Sequence, residues 1–212
     1  MFRRNKIQQW IAEGEGPTLD FKKNITSAPK IARSIVAFAN SRGGKIVVGV
    51  EDTGRIVGID LAEEQYQLET AAKQYCYPAI ELELEPYESN GKTLLIAHVP
   101  ESTRKPHYAL DLKGINKIYV RIADKCVEPT TLIEQVLISG DLNNLQRQNS
   151  AYNQVKNELA TYLQQKKQVS IADYAQLKKC TERSARRTLI DLLFEGFLSP
   201  IDEQTFAVAN TQ

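Results

Sequence analysis

The sequence predicts an α+β fold in two domains, the first over residues 1–140 and the second over residues 150–212. Three observations lead to this prediction. In the first 140 residues, short apolar runs and alternating segments occur between helical patterns, which indicates a mixed sheet packed against helices. The segment 139–150 is polar and has no strong period, as is typical of a domain boundary, and we place the join near residue 145. After it, apolar residues recur at helical spacing until two short strands.

A helix and a central strand are the first clear elements. Residues 28–41 carry apolar side chains at three- and four-residue spacing, which predicts a helix that ends at Gly43 and Gly44. The apolar run 46–50 is too short for a helix and predicts a buried strand. A turn then leads into residues 55–59 as its hairpin partner.

A second helix and a second hairpin follow. The helical pattern over residues 61–76 stops before Pro78, which cannot continue a helix. Residues 80–85 alternate apolar side chains with glutamates, so one face of this strand is core and the other faces water. A tight Asn-Gly turn joins it to a strand over residues 92–99.

A last strand and a short helix complete the first domain. Residues 117–122 alternate again as a strand. Residues 129–138 predict a helix, with Thr130 or Thr131 as its N-cap.

The C-terminal domain is predicted to contain three helices and a pair of short strands. Ser170 and Thr181 are placed to cap the second and third helices, and Gly196 ends the third. The third helix turns its apolar side chains inward and three arginines outward. The predicted segments are, in order, 152–167, 170–177, 181–196, 197–200 and 205–208.

A basic cluster lies where the third helix begins. Residues 178–187 hold five Lys or Arg and one Glu, a balance of +4. The segment resembles a winged helix-turn-helix domain over roughly 60 residues, in its helix lengths, its buried positions and the glycine after the third helix. The resemblance implies that this helix enters the major groove of DNA, with salt-sensitive binding. A winged helix that serves only protein interaction or dimerisation remains the alternative.

The charged side chains of this cluster divide by position into two groups. The first group is expected to reach base edges and the second to contact phosphates. The base-edge candidates are Glu182, Arg183 and Arg186, and the phosphate candidates are Lys178, Lys179 and Arg187.

Five motifs characterise the first domain. They are GEGPTLDFK at 14–22, IVAFANSRGGK at 35–45, VGVEDTG at 48–54, KPHY at 105–108 and YVR at 119–121. Together they resemble the Schlafen-type AlbA-like domain, which occurs in many bacterial regulators ahead of a helix-turn-helix. The resemblance covers about residues 10–138 and implies DNA binding by this domain as well.

The glycine pair of this domain is a candidate anion site. Glycine permits close backbone approach or positive φ at Gly43 and Gly44, and Arg42 and Lys45 place cations beside the amides. A plain helix-to-strand turn that requires glycine explains the pair equally well. The family resemblance adds Arg121, at the end of a strand, as a further nucleic-acid contact, although the residues just after it depart from the family pattern.

Acidic residues in the same motifs suggest a second function from a different class. Some Schlafen proteins use an acidic triad with metal to cut RNA, and Glu15, Asp20 and Asp52 with Lys22 fall at corresponding motif positions. Grouped carboxylates suit Mg²⁺ or Mn²⁺ in phosphodiester hydrolysis. Asp20 is shorter than the usual glutamate, and regulators share the Asp-x-Lys pattern, so we favour a protein that is not an enzyme and has neither metal nor cofactor.

Composition limits the remaining possibilities. No run approaches the ~18 apolar residues of a membrane span and no secretory signal is visible, which predicts a cytoplasmic protein without a membrane partner. The three cysteines are too far apart for a metal knuckle, and His98 and His107 are too few for a zinc or acid-base argument. The sequence therefore predicts a DNA-binding transcriptional regulator, which we expect to be a homodimer on a palindromic operator.

Overall fold

The computed structural model describes residues 6–144 and 150–209. The chain forms two compact units, Met1–Glu128 and Pro129–Gln212. The helix predicted at 129–138 is therefore grouped with the C-terminal unit, whereas the sequence placed it at the end of the first domain. The predicted join near residue 145 lies outside the described residues. The predicted α+β class, with a mixed sheet followed by a helical part with a small sheet, is confirmed.

The N-terminal unit contains three helices and nine strands among its described residues. The helices are α1 (Lys6–Glu13), α2 (Ala28–Asn40) and α3 (Leu61–Gln74). The strands are β1 (Leu19–Lys22), β2 (Gly44–Val48), β3 (Cys76–Tyr77), β4 (Glu83–Ser89), β5 (Lys92–Val99), β6 (Tyr108–Leu110), β7 (Asn116–Ile118), β8 (Val120–Ile122) and β9 (Lys125–Val127).

The main sheet has the order β1-β2-β5-β4 and is mixed, because β1 pairs with β2 in parallel while the other pairs are antiparallel. Alternate residues of a strand point to opposite faces. Ile46 and Val48 of β2 accordingly join the core formed with α2 and α3. Val47 joins a second core on the other face, where Ile7 of α1 packs.

Two smaller sheets complete this unit. Strands β3, β6 and β7 form an antiparallel sheet, and β8 and β9 form a hairpin. Both β6 and β8 contact α2. The helix is thus covered by the large sheet and by the segment that follows residue 105.

Several strands differ from their predicted spans. The strand predicted at 46–50 ends at Val48, because Gly49 has a φ of 108° and turns the chain away. Its expected hairpin partner at 55–59 is reduced to one bridge, between Val50 and Ile56. The strand predicted at 80–85 instead begins at Glu83, and the one predicted at 117–122 is divided between β7 and β8.

The C-terminal unit contains the three predicted helices and both predicted strands. Its elements are α4 (Thr131–Ser139), a short 3-10 helix (Asp141–Asn144), α5 (Ser150–Lys166), β10 (Gln168–Ser170), α6 (Ile171–Lys178), α7 (Glu182–Phe194), β11 (Leu198–Pro200) and β12 (Thr205–Val208). Strands β11 and β12 pair antiparallel as predicted, and β10 adds a third strand beside β12.

The predicted caps of this unit are confirmed. The Ser170 side chain accepts a hydrogen bond from Asp173 N while the Asp173 carboxylate accepts one from Ser170 N, which is a reciprocal capping box. Thr181 caps α7 by accepting from Ser184 N. Thr130, one of the two residues predicted for α4, caps that helix.

Candidate nucleic-acid interface

Helix α7 has one buried and one exposed side. Ala185, Leu189 and Leu192 are fully buried, as the helical spacing predicted. Thr181 fixes the start of the helix, so Glu182 and Arg183 occupy its first turn, where both are exposed. In the winged helix-turn-helix domain that the sequence resembles, this first turn would reach base edges in a major groove.

Arg183 forms a forked ion pair with Asp141, a residue of the 3-10 helix in the same unit. Its Nε donates to Oδ2 at 3.0 Å and its Nη2 donates to Oδ1 at 2.7 Å. The arginine lowers the pKa of Asp141, with a hydrogen bond from Ser139 and the charge of Arg187 adding to the effect. The Arg183 side chain nevertheless remains 74% exposed, whereas that of Asp141 is 18% exposed.

The other basic residues of the cluster differ in their partners. Lys178 pairs with Glu158 of α5 and lowers the pKa of that carboxylate. Lys179 is exposed, while Arg186 and Arg187 are half-buried. None of these three cations makes an ion pair with the part of the chain that the structure describes.

Two arginines of α7 keep an unsatisfied donor. The Nε atoms of Arg186 and Arg187 are shielded from solvent and have no acceptor among the described residues. A shielded donor without an acceptor costs free energy. Rotation of either side chain onto a phosphate oxygen would remove that cost.

The turn between β11 and β12 carries negative charge. Asp202 and Glu203 are exposed there, and Asp202 accepts a hydrogen bond from Gln204 N at 2.8 Å, which lowers the pKa of this carboxyl. Ionised carboxylates at this position repel a phosphate backbone. The two strands were predicted from the sequence, whereas the charge of the turn that joins them was not.

The glycine pair is shaped by close packing. A Cβ on Gly43 would lie 2.7 Å from Glu101 N, and one on Gly44 would lie 2.6 Å from the Phe38 ring. The backbone amides beside this turn are also used, since Gly43 N donates to Phe38 O and Lys45 N donates to Thr18 O. The turn therefore requires glycine for its own packing, which was the alternative left open by the sequence.

A cavity of about 510 Å³ lies beside the glycine pair. Arg42 and Lys45, the cations of the candidate anion site, contribute to its lining together with His98. Three carboxylates line it as well, those of Glu81, Glu83 and Glu101. The three carboxylates repel an anion, so the cavity should bind phosphate weakly despite its two cations.

Arg121 is buried in the N-terminal unit, with its side chain 2% exposed. Its Nε donates to Gly16 O at 3.1 Å and its Nη2 donates to Leu19 O at 3.0 Å, while the guanidinium lies over the Phe38 ring. Nη2 also lies 3.3 Å from Asp20 Oδ1. These contacts correct the predicted nucleic-acid role of Arg121, because a phosphate has no access to the guanidinium.

Asn40 and His107 hold the segment after residue 105 against α2. The Asn40 amide donates to His107 O and Tyr119 O and accepts from His107 N, so all three bonds stay within the unit. His107 contacts Pro78 O through Nδ1 and the Ser102 hydroxyl through Nε2. Burial lowers the pKa of His107 and favours its neutral form. His107 thus has structural partners on both ring nitrogens.

The carboxylates of the suggested triad have different surroundings. Asp20 is buried and lies 2.7 Å from Lys22 Nζ as well as near Arg121. Glu15 and the exposed Asp52 both line a cavity of about 230 Å³, together with Glu51. The structure thus brings Glu15 and Asp52 to one cavity, while Asp20 lies in an interior ion pair and still interacts with the Glu15 carboxyl.

Glu15 and Glu51 differ in ionisation. Desolvation raises the pKa of Glu15, although part of the residue reaches solvent, and the nearby charge of Asp20 raises it further. Hydrogen bonds from Arg55 and Lys23 lower the pKa of Glu51 to about 2. Among residues 6–144 and 150–209, no group of three or more His, Cys, Asp or Glu is arranged to hold a metal ion.

Residues 15–130 match the family described as Schlafen, AlbA_2, and the chain belongs to this family. The match covers all the motifs that suggested the resemblance except the start of the first.

Within residues 6–144 and 150–209, no helix is long and apolar enough to cross a membrane.

Two solved structures are similar to the chain. The N-terminal domain of a RecG-related protein from Nitrosomonas europaea is 25% identical, with 59% of this chain and 89% of that chain covered and a TM-score of 0.45. A protein from Corynebacterium diphtheriae is 19% identical, with 70% of this chain and 35% of that chain covered and a TM-score of 0.44. No curated protein matches the chain.

Proposed function

We propose that this protein is a DNA-binding transcriptional regulator whose C-terminal unit reads duplex DNA through α7. The observation that carries the proposal is the basic and accessible start of this helix, above a fully buried apolar side. A helix held in this way can enter a major groove without disturbing the core behind it. The Schlafen AlbA_2 domain of the first unit is often associated with DNA-binding regulators, which supports the same function.

The contacts divide the cluster into two parts with different tasks. Lys179, Arg186 and Arg187 lack ion-pair partners within the described residues, so their charges are less compensated than that of Arg183, although the charge of Arg187 also acts on Asp141. Arg183 already shares its charge with Asp141, so phosphate attraction there is weaker. We assign Lys179, Arg186 and Arg187 to the DNA backbone and the exposed first turn of α7 to base edges. This assignment moves Arg186 from the predicted base-edge group.

The turn with Asp202 and Glu203 is proposed to stay away from the phosphate backbone. In this proposal the strands β11 and β12 support α7 without adding a charged contact. The N-terminal unit has Lys45 and Arg42 beside three carboxylates, so we propose that it supplies dimerisation or ligand sensing more than DNA affinity. A homodimer would place two copies of α7 on a two-fold symmetric operator.

The test is fluorescence anisotropy of the full chain with a mixed-sequence duplex at about 50 mM and about 200 mM salt. We expect binding that falls steeply with salt, because each phosphate contact contributes about −0.9 to the slope of log K against log salt. Arg183→Ala/Arg187→Ala should lose most of the affinity. Lys166→Ala/Lys167→Asn is the matched control, since it removes two exposed charges from the end of α5 in the same unit.

Two results would contradict the proposal. If the full chain binds no duplex at the lower salt concentration, the C-terminal unit serves another purpose, and a protein-interaction module becomes the better explanation. If the control loses as much affinity as the α7 variant, the attraction is a general effect of charge. Light scattering of the same samples measures the proposed dimer.

We propose binding without catalysis, and the same samples test this point. The duplex and an RNA strand are incubated with the protein and Mg²⁺ or Mn²⁺, and gel electrophoresis shows whether either is cleaved. Asp20 is engaged by Arg121 and Lys22, which argues against a free triad of Glu15, Asp20 and Asp52. Metal-dependent cleavage that Glu15→Gln abolishes would overturn this part of the proposal.

A further inference from the structure

The ion pair between Arg183 and Asp141 uses only one edge of the guanidinium. A guanidinium carries five N–H donors in a rigid plane, one on Nε and two on each Nη atom. Asp141 accepts from Nε and from Nη2. The second hydrogen of Nη2 and the neighbouring hydrogen of Nη1 remain side by side and form the second edge of the same plane, while the other Nη1 hydrogen points towards Cδ.

The exposures of the two partners show which of them faces outward. The Asp141 side chain is 18% exposed and also hydrogen-bonds with Ser139, so it belongs to the body of the unit. The Arg183 side chain is 74% exposed in spite of its two bonds. An arginine on the first turn of α7 is therefore held at a fixed orientation while most of its surface stays accessible.

Guanine is the base that matches the remaining edge. It presents two acceptors in the major groove, O6 and N7, and a bidentate arginine is their commonest specific partner. An arginine that is fixed before binding loses less conformational freedom when the contact forms. Its charge is already shared with Asp141, so its gain from a phosphate is smaller than that of an unpaired cation such as Lys179.

We propose that Asp141 is a positioning residue that presents Arg183 to a guanine, so that the DNA sites of this protein carry a guanine at one fixed position under each α7. The inference rests on the proposed function, since it requires that α7 enters the major groove. It names the base that this helix selects. It also assigns a role to Asp141, which the sequence motifs did not single out.

The experiment starts with selection of bound duplexes from a randomised library by the full chain. Affinities are then measured for the selected duplex and for one in which the proposed guanine pair is replaced by an adenine pair. We expect the wild type to prefer the guanine duplex by about tenfold or more. Arg183→Ala and Asp141→Ala should each reduce this ratio towards one, and the double variant should match Arg183→Ala because both act through one contact.

Glu158→Ala is the matched control. It also removes one carboxylate from an ion pair with a basic residue of the cluster, in this case Lys178. We expect it to strengthen binding to both duplexes and to leave their ratio unchanged, because the sequence predicts a phosphate contact for Lys178. Circular dichroism of each variant checks that the helices are retained.

The outcomes separate the two proposals. If the wild type selects no duplex at all, the proposed function fails, and this inference fails with it. If the wild type selects duplexes without a fixed guanine, the regulator proposal stands and this inference is overturned. If Asp141→Ala tightens binding to both duplexes equally and keeps the wild-type ratio, Asp141 only neutralises charge and the positioning role is also overturned.

Discussion

Arg121 and Asp20 form an ion pair inside the N-terminal unit, with 3.3 Å between Nη2 and Oδ1 and with both side chains almost fully buried. The arginine lies on β8 and the aspartate on β1, about a hundred residues apart in the chain. Arg121 also donates to the carbonyls of Gly16 and Leu19, which precede and begin β1. Arg121, which was predicted to contact nucleic acid, and Asp20, a member of the alternative acidic triad, thus hold one structural element in place.

Arg121→Ala should destabilise the N-terminal unit by about 3 to 5 kcal/mol, because it breaks a buried ion pair. It leaves Lys22 as the remaining cation beside the Asp20 carboxylate and also removes the donors to two backbone carbonyls. The measurement is urea unfolding followed by the fluorescence of Trp10, the single tryptophan of the chain, which packs against the core of this unit. The control is Lys117→Ala, which breaks an exposed pair with Glu128 and should change the midpoint little. A change for Arg121→Ala as small as that of the control would show that the pair is not structural.

The elements that could be predicted are those whose apolar spacing or capping residues lie within one contiguous stretch of the sequence. The helical spacing in α2 and α7 and the capping residues Ser170 and Thr181 lie in contiguous stretches, so their prediction succeeded. By contrast, α1 has only eight residues and β1 only four, which is too short for a reliable period.

The surroundings of the candidate site residues were harder to predict. The sequence shows that Arg121 and Arg183 are cations, but burial and partners depend on residues far away in the chain. Asp20 is 101 positions from Arg121, and Asp141 is 42 positions from Arg183. Charge alone therefore could not distinguish a structural arginine from an exposed one.

Gly44→Ala should destabilise the N-terminal unit by about 1 to 3 kcal/mol, as is typical when a packed site is overfilled. The new Cβ would lie 2.6 Å from the Phe38 ring and 2.8 Å from Thr18 O, and the backbone oxygen cannot move aside easily. Gly16→Ala is the control, because a Cβ there meets nothing within 4 Å. Urea unfolding monitored by Trp10 compares the two variants. Equal effects would mean that the close approach at Gly44 does not determine the choice of glycine.

Glu64→Gln should stabilise the N-terminal unit at neutral pH. Burial raises the pKa of Glu64 above its ordinary value of 4.5, so the folded state favours the protonated carboxyl. The contribution of the Glu64 carboxyl to stability is full below pH 4.5 and is lost as the pH rises through the raised pKa of the folded state. Glutamine is neutral and keeps an acceptor for Ile25 N, which now bonds to the carboxylate at 2.8 Å. The advantage of the variant should therefore shrink as the pH is lowered, when unfolding midpoints are compared across this range.

Glu69→Gln on the same helix should show the opposite sign. Hydrogen bonds from Gln65 and Lys73 lower the pKa of Glu69, so its contribution to stability is present above pH 4.5 and is lost as the pH falls through the lowered value. This variant should be slightly less stable than the wild type at neutral pH. If both variants shift stability in the same direction at neutral pH, the surroundings assigned to Glu64 are wrong.

Tyr152→Phe should loosen the C-terminal unit selectively. The Tyr152 hydroxyl donates to Asp191 Oδ2 at 2.5 Å, and Asp191 is a fully buried carboxylate on α7. A buried acceptor that loses its hydrogen-bond partner costs about 1 to 3 kcal/mol, so the loss should be of that order. Hydrogen exchange of amides in α5 and α7 measures it directly, and Tyr162→Phe is the control because its hydroxyl makes no hydrogen bond to the described residues. Faster exchange in both helices for Tyr152→Phe alone would show that the hydrogen bond between Tyr152 and Asp191 stabilises the packing of α7 against α5. Unchanged exchange would mean that the other contacts of Asp191 are sufficient to hold the helix.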